Sequence, residues 1–387
     1  MDVPRHTLVV SDVHLRGITP GTPRRLETMP DAALAELIDA ALAASHSACL
    51  EVVCNGDVLD FDVPDARTAG DGVPPPSVSH GEAGAADLAG AILRDHPTWV
   101  AALARVLRAG HGVVFVAGNH DAHLAFPAVR AVVAQHLHRA AGVTHGVVFR
   151  TLFHRTPDGW HLEHGHQYDP LCALDAPGVV SGPDGRLYLE NTVGSLLSYV
   201  IPALLACVEP WAHDPVVALG EHPLRAASRC VGASPVPGVE LGAAGAGLAR
   251  ALALVRSRRT EEALAELSFV VGDETGLDPC VVMRQTALFA PKASADGLAS
   301  PDAWAGYGRA TDRRLRAAAG AIGSLYGARG VVMGHTHAPW EAWTSGRFFG
   351  NTGAWHPGPD GRTRGAYAWL TTGPAGAAAH VRRWGPP

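Results

Sequence analysis

The stretch Gly112–Val113–Val114–Phe115–Val116–Ala117–Gly118–Asn119–His120–Asp121 decides the architecture of this 387-residue chain. Its first six residues are an apolar run of the kind that fills a strand buried on both faces. Its last four, Gly118 to Asp121, read as a loop at the end of that strand. Open α/β sheets place their ligands in loops after the carboxyl ends of parallel strands. Glycine there lets the backbone come close, while an amide oxygen and an imidazole nitrogen face whatever is bound.

Outward from this loop the theme repeats. Thr7–Val10 is a short apolar run ending at Ser11–Asp12–Val13–His14, and Leu50–Cys54 is another, ending at Asn55–Gly56–Asp57. Helical periodicity covers Asp31–His46, with Leu34, Leu37, Ile38 and Leu42 on one stripe, and again Trp99–Arg108 and Pro127–Ala140. From Asp62 to about Ala86 the composition turns Gly/Pro-rich and reads as a long irregular loop. Val147–Phe153 and Trp160–Glu163 read as a strand pair around the Pro157–Asp158–Gly159 turn, and the second strand ends in His164–Gly165–His166. After a long Ala-, Leu- and Gly-rich segment, with helical runs near Leu187–Val208 and Ala246–Val270, comes a helix at Thr311–Tyr326. The strand Gly330–Met333 then ends in Gly334–His335–Thr336–His337, and Arg347–Gly350, Ala366–Thr371 and Ala378–Arg383 close the chain as short strands.

Alternating strands and helices imply a layered α/β fold. The expected partition is a core split between residues 1–175 and 305–387, with a mostly helical insertion at 176–304. No repeat of 20–50 residues recurs, which excludes a solenoid. A net charge of −6 and a pI near 6.4 argue against a general polyanion-binding surface, and no basic stripe points to nucleic acid. The six cysteines are scattered without a C-x-x-C pair, so buried free thiols are expected. Leu8–Val10 is too short for a signal-peptide core, and a cytoplasmic location is expected.

The polar residues at the strand ends are Asp12, His14, Asp57, Asn119, His120, His164, His335 and His337. Carboxylate, imidazole and amide oxygen together suit Mn²⁺, Fe, Zn²⁺ or Co²⁺ better than Ca²⁺ or Mg²⁺, which prefer all-oxygen shells. The seven donors besides His120 are too many for one tetrahedral ion and suffice for two ions sharing a carboxylate.

The order D-x-H at 12–14, G-D at 56–57, G-N-H-D at 118–121, H-G at 164–165 and G-H-x-H at 334–337 resembles the calcineurin-like metallophosphoesterase superfamily. The resemblance spans the split core and leaves the Gly/Pro loop and the insertion unmatched. It implies a four-layer α/β/β/α sandwich with the insertion as a cap. It implies that Asp12, His14 and His337 hold one metal ion and Asn119, His164 and His335 the other, with Asp57 bridging. Mn²⁺ is the first expectation for both. The implied reaction is hydrolysis of a phosphate ester, with a hydroxide shared by the ions attacking phosphorus in line. His120 would donate to the leaving oxygen or bind a phosphoryl oxygen, and Asp60 would orient it. Phe61 stands where phosphoprotein phosphatases of the superfamily carry Arg, and Asp121 where they carry Glu, which argues against a phosphoprotein substrate.

Asn119, His120, His123 and His166 are the candidate substrate contacts; His123 reads equally as a surface residue at a helix start. His166 is the alternative to His164 as ligand, although Gly165 after His164 fits the family pattern. Asn351–Thr352–Gly353 reads as a turn that could also help close the site. The apolar insertion suggests a lipid-linked or nucleotide-linked phosphodiester or pyrophosphate, as in the lipid A precursor pyrophosphatases of the superfamily. An acyl groove or peripheral membrane contact through Leu187–Val208 is the sharper reading of that run, and a buried helix the plainer one. The alternatives are a phosphomonoesterase of small metabolites or nucleotides, and a catalytically silent metal-binding scaffold.

Overall fold

A computed structural model describes residues 3–17, 30–61, 81–169, 172–173, 179–181, 187–189, 307–357 and 363–385. Strands β1 (Arg5–Val10), β2 (Cys49–Asn55), β3 (Gly112–Val116) and β4 (Val147–Arg150) run parallel to one another in one sheet. Helices α1 (Asp31–Ala44), α2 (Glu82–Asp95), α3 (Pro97–Arg108) and α4 (Pro127–Ala141) lie between them in the chain. A second sheet has the order β10–β11–β9–β6–β5: Trp340–Thr344, Arg347–Asn351, Gly330–Met333, Trp160–Glu163 and Phe153–Arg155. β6, β9 and β11 are parallel within it. Strands β7 (Val179–Ser181) and β8 (Leu187–Leu189) form a separate hairpin, and α5 spans Tyr307–Leu325.

Alternation along the strands explains the layering. On one face of the first sheet, Leu8, Val10, Val52, Cys54, Val113 and Phe115 pack with the apolar stripes of α1 to α4. On the other face, Val9, Val53, Val114 and Val116 meet Trp160, Leu162, Val332 and Phe348 of the second sheet. Val331 and Met333 point away from that interface and pack against Leu315, Ala318, Ala319 and Ile322 of α5. Strands apolar on both faces are what a covered parallel sheet requires. Helix ends follow local chemistry: Pro97 and Pro127 open α3 and α4, and Gly142 ends α4 with a left-handed φ of 71°.

Several expectations are corrected. Val147–Phe153 is not one strand paired with Trp160–Glu163. Val147–Arg150 joins β3 in the first sheet, and Phe153–Arg155 pairs with β6 in the second. The stretch expected to be irregular, Asp62 to about Ala86, lies outside the described residues up to 80, and its last part is helical, because α2 starts at Glu82. The closing strands are not short: β13 (Thr363–Gly373) and β14 (Gly376–Trp384) form a long hairpin beside β1, and β12 (His356–Pro357) pairs with the start of β13. Leu187–Leu189 is a strand rather than the start of a helix. The rest of Leu187–Val208, the Ala246–Val270 run and nearly all of the 176–304 insertion lie outside the described residues. Cys54 and Cys172 are buried free thiols, but Cys49 is exposed. Among the described residues no helix is long and apolar enough to cross a membrane.

Candidate metal centre

The parallel strands of both sheets end at one place. Asp12 and His14 follow β1, Asp57 follows β2, Asn119 follows β3, His164 follows β6, and His335 and His337 follow β9. Among the described residues four donor groups assemble there, each with its ligand atoms within 4.8 Å of one another: Asp12–His14–His337 and Asp57–His164–His335 join the strand-end donors, while His14–Asp60–His120 and Asp169–Cys172–His335 share one histidine with each. Asn119 is buried on the loop after β3, and its Oδ1 has no hydrogen-bond partner among the described residues.

Two glycines make the close approach possible. A side chain on Gly118 would collide with Asp57 Oδ1, and one on Gly56, at φ 85°, with the His164 ring. Backbone donors then fix the carboxylates. His335 N donates to both oxygens of Asp12 at 3.1 and 3.0 Å, Ser11 Oγ donates to Asp12 Oδ2, and His120 N donates to Asp57 Oδ1 at 2.8 Å.

The imidazoles are aimed by their second nitrogens. His164 Nδ1 donates to the Asn55 carbonyl at 3.1 Å, leaving Nε2 at 3.1 Å from Asp57 Oδ2 and 4.0 Å from Asp12 Oδ1. His335 Nε2 donates to Asp169 Oδ2 at 2.8 Å. Such outer partners set the tautomer of a ligating histidine. His337 Nε2 lies 3.3 Å from Asp12 Oδ1. His166 is buried beside His164, with ring centres 5.5 Å apart, and shares in none of these donor groups. His120 stands edge-on to His14 at 4.7 Å, with its Nδ1 3.2 Å from Asp60 Oδ1.

Charge is concentrated accordingly. Burial would raise the Asp57 carboxyl, yet His164 and His120 hold it well below the usual carboxylate range. Asp12, opposed by burial but drawn down by His164 and His337, falls to about 2. Burial pushes His164 down, but Asp57 and Asp12 outweigh it and raise the ring to about 9. Burial pushes His14 down, and it pushes His166 well down with help from His164 and His335. Two buried carboxylates drawing positive charge, with the Asn119 amide oxygen and His14 Nε2 lacking hydrogen-bond partners among the described residues, form a donor set that fits divalent cations of the borderline class.

Some residues sit where the pattern did not place them. His123 is fully buried and stacked on Phe61, with ring centres 4.5 Å apart, neither on the surface nor open to a substrate. His96, which carries no motif, is buried between α2 and α3, with its Nε2 on the Arg16 carbonyl. Asn351–Thr352–Gly353 is both turn and brace. Gly353 N donates to Asn351 Oδ1, Asn351 Nδ2 donates to the Gly334 carbonyl, and Thr352 Oγ1 meets Ser11 Oγ at 2.6 Å. Asp121 carries more than its motif suggests: it accepts backbone N–H groups from Gly118, Asp57, Val58 and Leu59. Asp169 and Arg16 have no strand-end signature, and Ser11, although it directly follows β1, is not a residue type that marks a ligand.

No protein-family model and no curated protein matches the chain. Among solved structures, phosphopantetheinyl hydrolase (PptH) from Mycobacterium tuberculosis is 14% identical, with 92% of this chain and 91% of that chain covered and a TM-score of 0.28.

Proposed function

We propose that this chain is a two-metal phosphoester hydrolase of the calcineurin-like metallophosphoesterase type. The observation that carries the reading is the pair of donor groups, Asp12–His14–His337 and Asp57–His164–His335, at the convergent strand ends of two sheets. In this reading Asp12, His14 and His337 hold one ion, Asn119, His164 and His335 the other, and Asp57 serves both. Divalent ions there, Mn²⁺ first, with Fe, Zn²⁺ or Co²⁺ as alternatives, lower the pKa of water and offset charge on phosphoryl oxygens.

The chain's own residues do the rest. His120, with Nδ1 on Asp60, has Nε2 left to donate a proton to the leaving oxygen or to bind a phosphoryl oxygen. Asp60 fixes the orientation and tautomer of the ring. His164 rather than His166 is the ligand, because its Nε2 is the nitrogen turned toward Asp57. The core takes the four-layer form, residues 176–304 cap it, and the protein works in the cytoplasm on a small-molecule or lipid-linked phosphodiester or pyrophosphate. Peripheral membrane contact through the cap belongs to the same proposal.

The test is turnover of bis(p-nitrophenyl) phosphate and p-nitrophenyl phosphate by metal-stripped protein before and after Mn²⁺ is restored. Metal-dependent cleavage favouring the diester is expected, and a preference for the monoester would move the substrate to a phosphomonoester. Asp57→Asn should lower that turnover by more than the ~10–100-fold that loss of an outer-shell partner brings. Unchanged metal-dependent turnover in Asp57→Asn would refute the mechanism.

A further inference from the structure

Arg16 lies two residues past His14, on a segment pinned from two sides. Leu15 bridges Leu59, with Leu15 N donating to the Val58 carbonyl at 2.9 Å and Asp60 N to the Leu15 carbonyl at 2.8 Å. From the helix side, His96 Nε2 donates to the Arg16 carbonyl at 2.9 Å. The guanidinium then reaches inward: both Nε and one terminal nitrogen lie 2.8 Å from Asp60 Oδ2. That carboxylate is 2% exposed and, among the described residues, is also flanked by two imidazoles. His14 Nδ1 is 3.4 Å from Oδ2, and His120 Nδ1 is 3.2 Å from Oδ1.

From this juxtaposition we infer that Arg16 is a positioning residue, clamping Asp60 so that one carboxylate orients both His14 of the metal centre and His120 beside it. The inference rests on the hydrolase reading above. A planar guanidinium on a fixed backbone holds a carboxylate oxygen with two N–H groups at once, which an ammonium cannot reproduce in the same geometry. Asp60 held this way cannot turn toward either imidazole at the expense of the other. His14 and His120 each have Nδ1 toward Asp60, so each is left with Nε2. Removing the clamp leaves a buried carboxylate short of its cation, free to rotate between two rings. Metal binding and turnover therefore fall together. An arginine that merely packed the loop would change neither.

The experiment compares wild type, Arg16→Met and Arg16→Lys. Metal-stripped protein is titrated with Mn²⁺ by calorimetry, and diester kinetics are measured at saturating Mn²⁺. Arg16→Met should weaken one of the two Mn²⁺ sites by about 10–100-fold, as losing the outer partner of a ligating histidine does. Its kcat should fall at least ~10-fold with KM within ~2-fold, the signature of a lost transition-state interaction. Arg16→Lys should recover part of both. Wild-type affinity at both sites overturns the inference, whether kcat falls or not, and so does a loss confined to thermal stability. Should Arg16→Met not fold, Arg16→Lys decides by the same two readouts. Wild-type protein that takes up no Mn²⁺ sinks the hydrolase reading itself, before any variant is compared.

Discussion

Asp12, His14, Asp57, His335 and His337 all hold left-handed φ values, between 51° and 71°. Outside glycine such backbone costs about 1–3 kcal/mol per residue and persists only where its surroundings over-determine it. Here the surroundings are backbone hydrogen bonds: His335 N donates to Asp12, Asp57 N to Asp121, Asp12 N to the Gly56 carbonyl and His14 N to the Asp57 carbonyl. Asp60 shows the electrostatic side of the same economy. Burial pushes its carboxyl up, but Arg16, His120 and His14 hold it well below the usual carboxylate range. Since its folded pKa is depressed, its stabilisation is present above about pH 3.8 and disappears as pH falls through the folded value. Urea unfolding at pH 5 and pH 3 should show wild type losing stability relative to Asp60→Asn on acidification; parallel losses would contradict the assignment. The donors themselves were legible because each directly follows an apolar strand. Their supports were not, because they act across the chain: Asp169 meets His335 from 166 residues away and Ser11 meets Thr352 from 341. Asp121 was visible as a letter of its motif, but its four backbone donors appear only once two loops are brought together.

At the scale of elements, strands apolar on both faces and helices opened by proline announce themselves, as β2, β3, α3 and α4 do. α2 does not. Its Gly84 and Gly90 extend the glycine-rich composition of the preceding sequence, so no local boundary separates them. The split of Val147–Phe153 is hidden for a different reason. A chain crossing from one sheet to the other keeps its apolar pattern, and only the partner strand reveals the exchange. The interface between the sheets rests on few large side chains. Phe348 of β11 is fully buried, edge-on to Trp160 at 6.3 Å and to Trp343 at 5.5 Å. Phe348→Ala should lower the unfolding free energy by about 3–5 kcal/mol, the range for emptying a packed aromatic site. Urea denaturation measures it, and a change below about 1 kcal/mol would mean that the sheets do not depend on this contact.

For the molecule as a whole, each proposed ion draws donors from both sheets: Asp12 and His14 with His337 in one group, Asp57 with His164 and His335 in the other. Metal should therefore act as a clasp between them and stabilise the folded state by mass action. At a free concentration of 100 times Kd the gain is about 2.7 kcal/mol per site. Thermal unfolding should rise with added Mn²⁺ and fall again with a chelator, and an unchanged midpoint would separate the donors from any ion. The same crossing has a consequence for how the protein is made. β1, which carries the first donors, takes one neighbour from β2 and the other from β13 at Ala368–Thr372, and the last donor is residue 337. Neither ion can therefore find a complete cage until synthesis has passed residues 335 and 337, so no shorter nascent fragment can be loaded at either site.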